Sequence, residues 1–277
     1  MFTETKRKCF SNGVVYGLKT EDGYPIEVTD TFLPYYTKDA VGRKQNLLDN
    51  SSLGDRTERW MIGVSTMSGC PVRCKFCATG KLKKYRNLTS EEIVKQVIFA
   101  VNNIPEEGVS KKMLDSLIMG GDSTPKEFKI NYTRMGEPFL NIDAIRKAIV
   151  VIDSIFPAAK VHHYVSTVGI KGSDFSWIKD NITLQFSVHS FDEEHRNWLI
   201  PYKNKMSLSE MGKIRTQSSQ KTTINLTLTK ESDFDIKELV KYFDKEHFFI
   251  KLSPINVNET ADKNGLSKSV ITAKNLL

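Results

Sequence analysis

The chain has 277 residues, of which 39% are hydrophobic and 26% charged, enough apolar material for a buried core and too much for a disordered chain. No apolar run approaches the roughly 18 residues that span a bilayer, and the opening MFTETKRKCF lacks the apolar stretch of a secretory signal; the expectation is a cytoplasmic protein without membrane insertion. The net charge of +7 suits an anionic partner, such as nucleic acid or a phosphorylated small molecule, and equally suits a mildly basic surface with no such partner.

In chain order, residues 12–34 read as a β-hairpin turning at Glu21-Asp22-Gly23, since Asp-Gly between β-prone runs favours a tight turn. Residues 35–58 are polar and charged and read as a long connection, partly disordered. The chain is thus expected to divide into an N-terminal β extension with its linker, 1–58, and a core, 59–277. From Trp60 onward strands are expected at 61–67, 127–133, 160–166, 182–188, 221–229 and 248–253. Helical patterns lie between them. Thr89 precedes a run from Ser90 with acids in its first turn, and Ile142, Ile145, Ile149 and Ile152 have helical spacing; 207–216 and 235–245 look similar. Six strands alternating with helices imply a parallel sheet, which right-handed crossovers curl into a partial or complete barrel. Ligands then sit at the carboxyl ends of the strands. His162-His163 falls mid-strand and reads as structural, and Gly120-Gly121-Asp122 reads as a turn.

Of the four cysteines, Cys9 stands alone, while Cys70, Cys74 and Cys77 fall within eight residues as C-x3-C-x2-C on a loop after the first core strand. Three thiolates can each ligate one iron of a [4Fe–4S] cluster, leaving the fourth iron open to a substrate or cofactor. A structural zinc site normally wants a fourth protein ligand, and nothing local supplies one. Zinc binding and inert thiols are the alternatives.

With Phe76 as its aromatic, this loop resembles that of the radical S-adenosylmethionine (SAM) superfamily. Its surroundings resemble the RlmN/Cfr family of RNA adenine methyltransferases: Gly69-Cys70-Pro71, Cys77-Ala78-Thr79-Gly80, and Arg86-Asn87-Leu88-Thr89. Further along come Met135-Gly136-Glu137-Pro138, Ser166-Thr167-Val168-Gly169, Ser187-Val188-His189 with Arg196 and Pro201, and Ser253-Pro254-Ile255-Asn256. The resemblance covers roughly residues 14–275, motif by motif in order. It implies a partial (β/α)6 radical SAM barrel with a short N-terminal β-hairpin extension. It implies a [4Fe–4S] cluster on Cys70, Cys74 and Cys77, and S-adenosyl-L-methionine held by Gly136, Glu137, Ser166, Ser187, Val188, His189 and Asn256. It also implies a general base at Glu27, on the hairpin.

The sequence departs from that family in one respect that bears on chemistry. The family transfers methyl by way of two cysteines; Gly63 stands at the position of one, and the other lies beyond Leu277. The expected reaction is therefore reductive cleavage of SAM to a 5′-deoxyadenosyl radical that abstracts hydrogen from a nucleic acid or nucleotide. The alternatives are an RlmN/Cfr-like RNA adenine methyltransferase and a non-catalytic, metal-stabilised binding module. Arg73, Lys75, Lys81, Lys83, Lys84 and Arg86, with Tyr85 among them, form a basic stretch beside the cysteines. It suits nucleic-acid phosphates, an acidic flavodoxin or ferredoxin electron donor, or solvent alone.

Overall fold

The structure, a computed structural model, describes residues 2–33, 37–38, 44–45 and 54–266. Most of the connection expected at 35–58 lies outside the described residues. The chain forms two compact units. The first comprises Met1–Thr66, Leu88–Arg134 and Asp143–His163; the second comprises Met67–Asn87, Met135–Ile142 and Tyr164–Leu277.

In the first unit, strands Thr3–Phe10, Gly13–Lys19, Pro25–Leu33 and Arg59–Gly63 pair antiparallel in that order, and Glu127–Tyr132 joins Arg59–Gly63 in parallel. The hairpin turns where Asp22-Gly23 predicts, with Gly23 at φ +83°. Trp60, Phe128 and Phe156 make the aromatic centre, with ring centroids 5.0 and 5.8 Å apart in sequence. A buried carboxylate is fully used here: Asp30 receives Arg56 Nη2 at 2.6 Å and Trp60 Nε1 at 2.6 Å. Helix Ser90–Asn102 begins with a reciprocal cap between Thr89 and Glu92, and Ile142–Ile155 buries Ile145, Ala148, Ile149 and Ile152. Of the His162-His163 pair, His163 is buried between Tyr132 (3.0 Å) and Asp153 (2.9 Å).

The strand expected at 61–67 stops at Gly63. Val64 N–H makes the last ladder bond, to Asn131 O, and the next residue leaves the ladder: Ser65 N–H donates to the side chain of buried Gln96 at 2.8 Å, whose amide returns a bond to Ser65 O at 2.9 Å. Met67–Ser68 instead pairs with Arg86–Asn87 in the second unit.

The second unit carries a parallel ladder of Ile182–Ser187, Thr222–Leu226 and Phe248–Leu252. The last residues of Val161–Thr167 also belong to this unit. The strand expected to reach 229 ends at Leu226, since Thr227 N–H turns to the imidazole of His189. The helix expected at 207–216 is only Leu208–Gly212; a Cβ at Gly212 would stand 2.1 Å from Tyr242 O, so the chain passes too close to Tyr242 for a side chain there. Phe175 links two further rings, meeting Phe139 tilted at 4.7 Å and Phe186 edge-on at 5.6 Å between centroids.

Candidate radical SAM site

The cysteine loop opens at Gly69, whose φ of +72° and closeness to Lys84 O (2.7 Å from a would-be Cβ) demand glycine. Arg73, also at positive φ, turns the chain between Cys70 and Cys74, and a 3-10 turn, Ala78–Lys81, begins straight after Cys77. The loop is pinned from outside. Lys75 N–H donates to Leu199 O at 2.9 Å; Asn264 Nδ2 donates to Lys75 O and Asn258 Nδ2 to Phe76 O, each at 2.9 Å. The Phe76 ring meets His189 edge-on, centroids 4.8 Å apart.

All three thiols are free. Burial pushes the Cys70 thiol up to about 12 and the Cys74 thiol well above its ordinary value; the neighbouring thiols and Glu137 add repulsion in both cases. The fold thus gathers Cys70, Cys74, Cys77 and Glu137 into one electrostatic neighbourhood. Thiols so placed ionise only when a cation takes the charge, so the donor set suits a metal cluster. Among the described residues no three His, Cys, Asp or Glu side chains converge on one point, as a single metal ion requires. A cubane taking one thiolate per iron asks for a wider spacing than that.

Glu137 is buried, and its two carboxylate oxygens accept backbone N–H groups of Phe139 (3.1 Å) and Val168 (3.0 Å). Burial outweighs these bonds and that of the Thr167 hydroxyl, and raises its carboxyl to about 7. Gly136 before it has φ +110°. His189 sits at φ +65° and is buried. Its Nδ1 accepts Thr227 N–H at 3.1 Å, and burial lowers its pKa to about 3, with Arg196 adding to the effect. The ring is neutral, and its remaining proton is on Nε2. Ser166 Oγ accepts Gln185 Nε2 at 2.8 Å; Ser187 is half-buried at its strand end, and Val188 is fully buried. Asn256 is exposed, its carbonyl accepting from Asn258.

Glu27 belongs to the first unit, with Gly63. Its backbone exchanges hydrogen bonds with Ser65 Oγ (3.1 and 2.7 Å), and its carboxylate is paired with Arg134. Sequence reasoning did not single out Arg134, Asn258 or Asn264. Asn258 carried a legible signal, a helix cap before Glu259–Lys263, but its bond to Phe76 crosses the chain and leaves no local trace.

Parallel strands with a three-cysteine loop and a glycine-glutamate turn at their carboxyl ends define a radical SAM core. Residues 64–243 match the model of the Radical SAM superfamily, and the chain belongs to it. Within that superfamily, curated proteins similar to it include several described as RNA methyltransferases. It is 32% identical over 204 residues to a probable dual-specificity RNA methyltransferase RlmN of Pseudothermotoga lettingae, covering 70% of this chain and 54% of that protein. It is 26% identical over 245 residues to the protein of the same description in Chlorobium phaeobacteroides, covering 84% and 63%. The chain therefore spans little more than half the length of the relatives it matches. A solved radical SAM methyltransferase from Sphaerobacter thermophilus shares the fold with TM-score 0.61 and 21% identity, over 92% of this chain and 67% of that one.

Proposed function

We propose that the chain is a radical SAM enzyme acting on a nucleic acid or nucleotide. The observation that carries the reading is the C-x3-C-x2-C loop, held in shape by bonds from Leu199, Asn258 and Asn264, with Glu137 beside it. When bound, a [4Fe–4S] cluster and S-adenosyl-L-methionine supply a 5′-deoxyadenosyl radical by one-electron cleavage of the sulfonium.

The protein's part is binding and placement. Cys70, Cys74 and Cys77 are the cluster ligands, and loading must release their protons because burial holds Cys70 and Cys74 in the thiol form. Gly136 opens the backbone to the methionine end of SAM, and Glu137 offers its remaining lone pairs to the ammonium. His189 donates from Nε2, and Ser166 and Ser187 offer hydroxyls at neighbouring strand ends, groups suited to carboxylate and ribose oxygens. Val188 walls the site, and Asn256 closes its edge. Glu27 faces the substrate with the carboxylate oxygen that Arg134 leaves open. Residues 59–277 are the catalytic core and 1–58 the extension bearing Glu27; the superfamily match, which starts at residue 64, supports that division. An acidic flavodoxin or ferredoxin is the electron donor. Among the described residues no helix is long and apolar enough to cross a membrane, in keeping with a cytoplasmic place.

Protein loaded with iron and sulfide without oxygen is expected to turn brown and to cleave SAM when reduced with dithionite. Alanine at any one of the three cysteines should abolish both. A colourless parent, or a spectrum indifferent to Cys74→Ala, overturns the reading. RNA methylation is the second reading, favoured by the relatives' descriptions. It requires S-adenosylhomocysteine beside 5′-deoxyadenosine when RNA is present; deoxyadenosine and methionine alone reject it.

A further inference from the structure

Arg196 lies in the short helix Glu193–Leu199 and is wholly buried. Its Nη1 donates to Met206 O at 2.9 Å and its Nη2 to Val168 O at 3.3 Å, both neutral acceptors. Its Nε is buried and, among the described residues, has no hydrogen-bond partner. Among those residues the one carboxylate in ion-pair range is Glu193, 3.7 Å away, with its side chain 45% exposed. Arginine does not shed its proton in a protein, so a full positive charge sits in the interior with little negative charge beside it. The cysteine loop is fastened to this helix. Lys75 N–H, next to Cys74, donates to Leu199 O, and the charges of Arg196 and Cys74 act on each other. Half-buried Lys205 donates to Asn197 of the same helix, and its charge also reaches Cys74. Val168 ties the guanidinium to the opposite wall of the site, since its carbonyl accepts from Arg196 while its N–H donates to Glu137.

We propose that Arg196 is a positioning residue for the cluster: a permanent buried cation that balances the thiolate charge of the cysteine loop and makes the cluster easier to reduce, with Lys205 adding to the effect and Glu193 opposing it. The proposal rests on the radical SAM reading above and deepens it.

Charge and burial carry the argument. Reduction takes one electron from the external donor and neither makes nor breaks a bond, so it adds one negative charge to a loop that already bears three thiolates. A cation fixed nearby favours the reduced form, and in the interior its field is screened far less than in water. Bonding to carbonyls does not by itself account for an arginine. Met206 O and Val168 O are neutral acceptors that an uncharged amide also satisfies, without the cost of burying a charge. That cost is recovered when negative charge gathers on the loop beside it.

The test uses the full chain loaded anaerobically with iron and sulfide, at one fixed pH and without SAM. The midpoint potential is read by titration with titanium(III) citrate, following the EPR signal of the reduced cluster, and bound iron and circular dichroism are read on the same samples. Arg196→Gln is expected to make one-electron reduction at least tenfold less favourable, a fall of about 59 mV or more. Arg196→Lys keeps the charge and loses the carbonyl bonds, so its potential should stay much nearer the parent's. Lys205→Gln should lower the potential and Glu193→Gln should raise it, each by less, since solvent screens both side chains. Glu193→Gln keeps the oxygen that accepts Leu208 N–H, so these two milder variants decide the matter even where Arg196→Gln does not fold. An arginine that only bonds carbonyls predicts that Arg196→Lys falls as far as Arg196→Gln and that Glu193→Gln moves nothing. Either result overturns the proposal, as does a Lys205→Gln variant whose potential rises. SAM cleavage is then assayed separately with dithionite. A parent that takes up no cluster defeats both this proposal and the radical SAM reading. A parent that cleaves SAM with a potential indifferent to these variants defeats this proposal alone; charge-dependent potentials in a protein that leaves SAM intact defeat the enzymatic reading alone.

Discussion

Glu137 does two jobs that pull its carboxyl in opposite directions. Its N–H partners on Phe139 and Val168 tie a turn to a strand end and favour the ion, while burial favours the acid and prevails, raising the group from 4.5 to about 7. Between those two values the native state binds a proton that the unfolded chain has already released. Stability therefore falls as pH rises from about 4.5 to about 7 and levels off above, a loss on the order of 3 kcal/mol from this residue. Urea unfolding at several pH values should show that slope, and Glu137→Gln, which cannot titrate, should flatten it. A slope unchanged in the variant would mean the carboxyl is not the titrating group. The residue's presence in the site was legible in Gly136-Glu137-Pro138. Its hydrogen bond to Val168 was not, because that partner lies far along the chain and belongs to a strand end only the fold brings near. Gly63 shows the same limit from the other side. The sequence displays the missing side chain, and only packing shows that Arg134 occupies its volume.

The elements most legible in sequence were those whose apolar pattern had one period and one buried face. Ile142–Ile155 and Ser90–Asn102 formed where spacing and caps placed them. Thr3–Phe10 gave no such signal; every one of its residues is exposed, so no alternation marks it as a strand. Helix Val109–Met119 buries only Met113, Ser116 and Leu117, a stripe too short to stand out. Strand ends were misjudged wherever a side chain takes over from the ladder, and Gln96 is the sharpest case. Its amide satisfies both Ser65 N–H (2.8 Å) and Ser65 O (2.9 Å), all fully buried. Gln96→Leu leaves two backbone groups unpaired in the core and should cost about 2–4 kcal/mol of unfolding free energy, while Gln96→Glu, keeping the acceptor for Ser65 N–H, should fall between that variant and the parent. A loss well under about 1 kcal/mol in the leucine variant would mean water or a shifted backbone replaces the clamp.

At the scale of the whole molecule, a net charge of +7 says that polyanions are attracted without saying where they bind. The basic stretch beside the cysteines narrows the question. Lys81 is already paired with Glu259 at 2.8 Å, whereas Lys83 and Lys84 are exposed beside exposed Tyr85. If this stretch tracks the phosphates of a single-stranded RNA, each lysine releases counterions when the strand binds, and the logarithm of the binding constant falls by about 0.7 per contact for each unit of log salt. Lys83→Ala/Lys84→Ala should therefore bind a short single-stranded RNA more weakly at low salt and with a slope shallower by about 1.4, while the two curves converge as salt rises. Fluorescence anisotropy across a salt series measures both. Surface lysines away from the strand would lower affinity only through long-range attraction, which salt screens, and would leave the slope nearly as it was. An unchanged slope would therefore release this face for an acidic electron donor, where the same double variant should slow reduction of the loaded protein by reduced flavodoxin but not by dithionite.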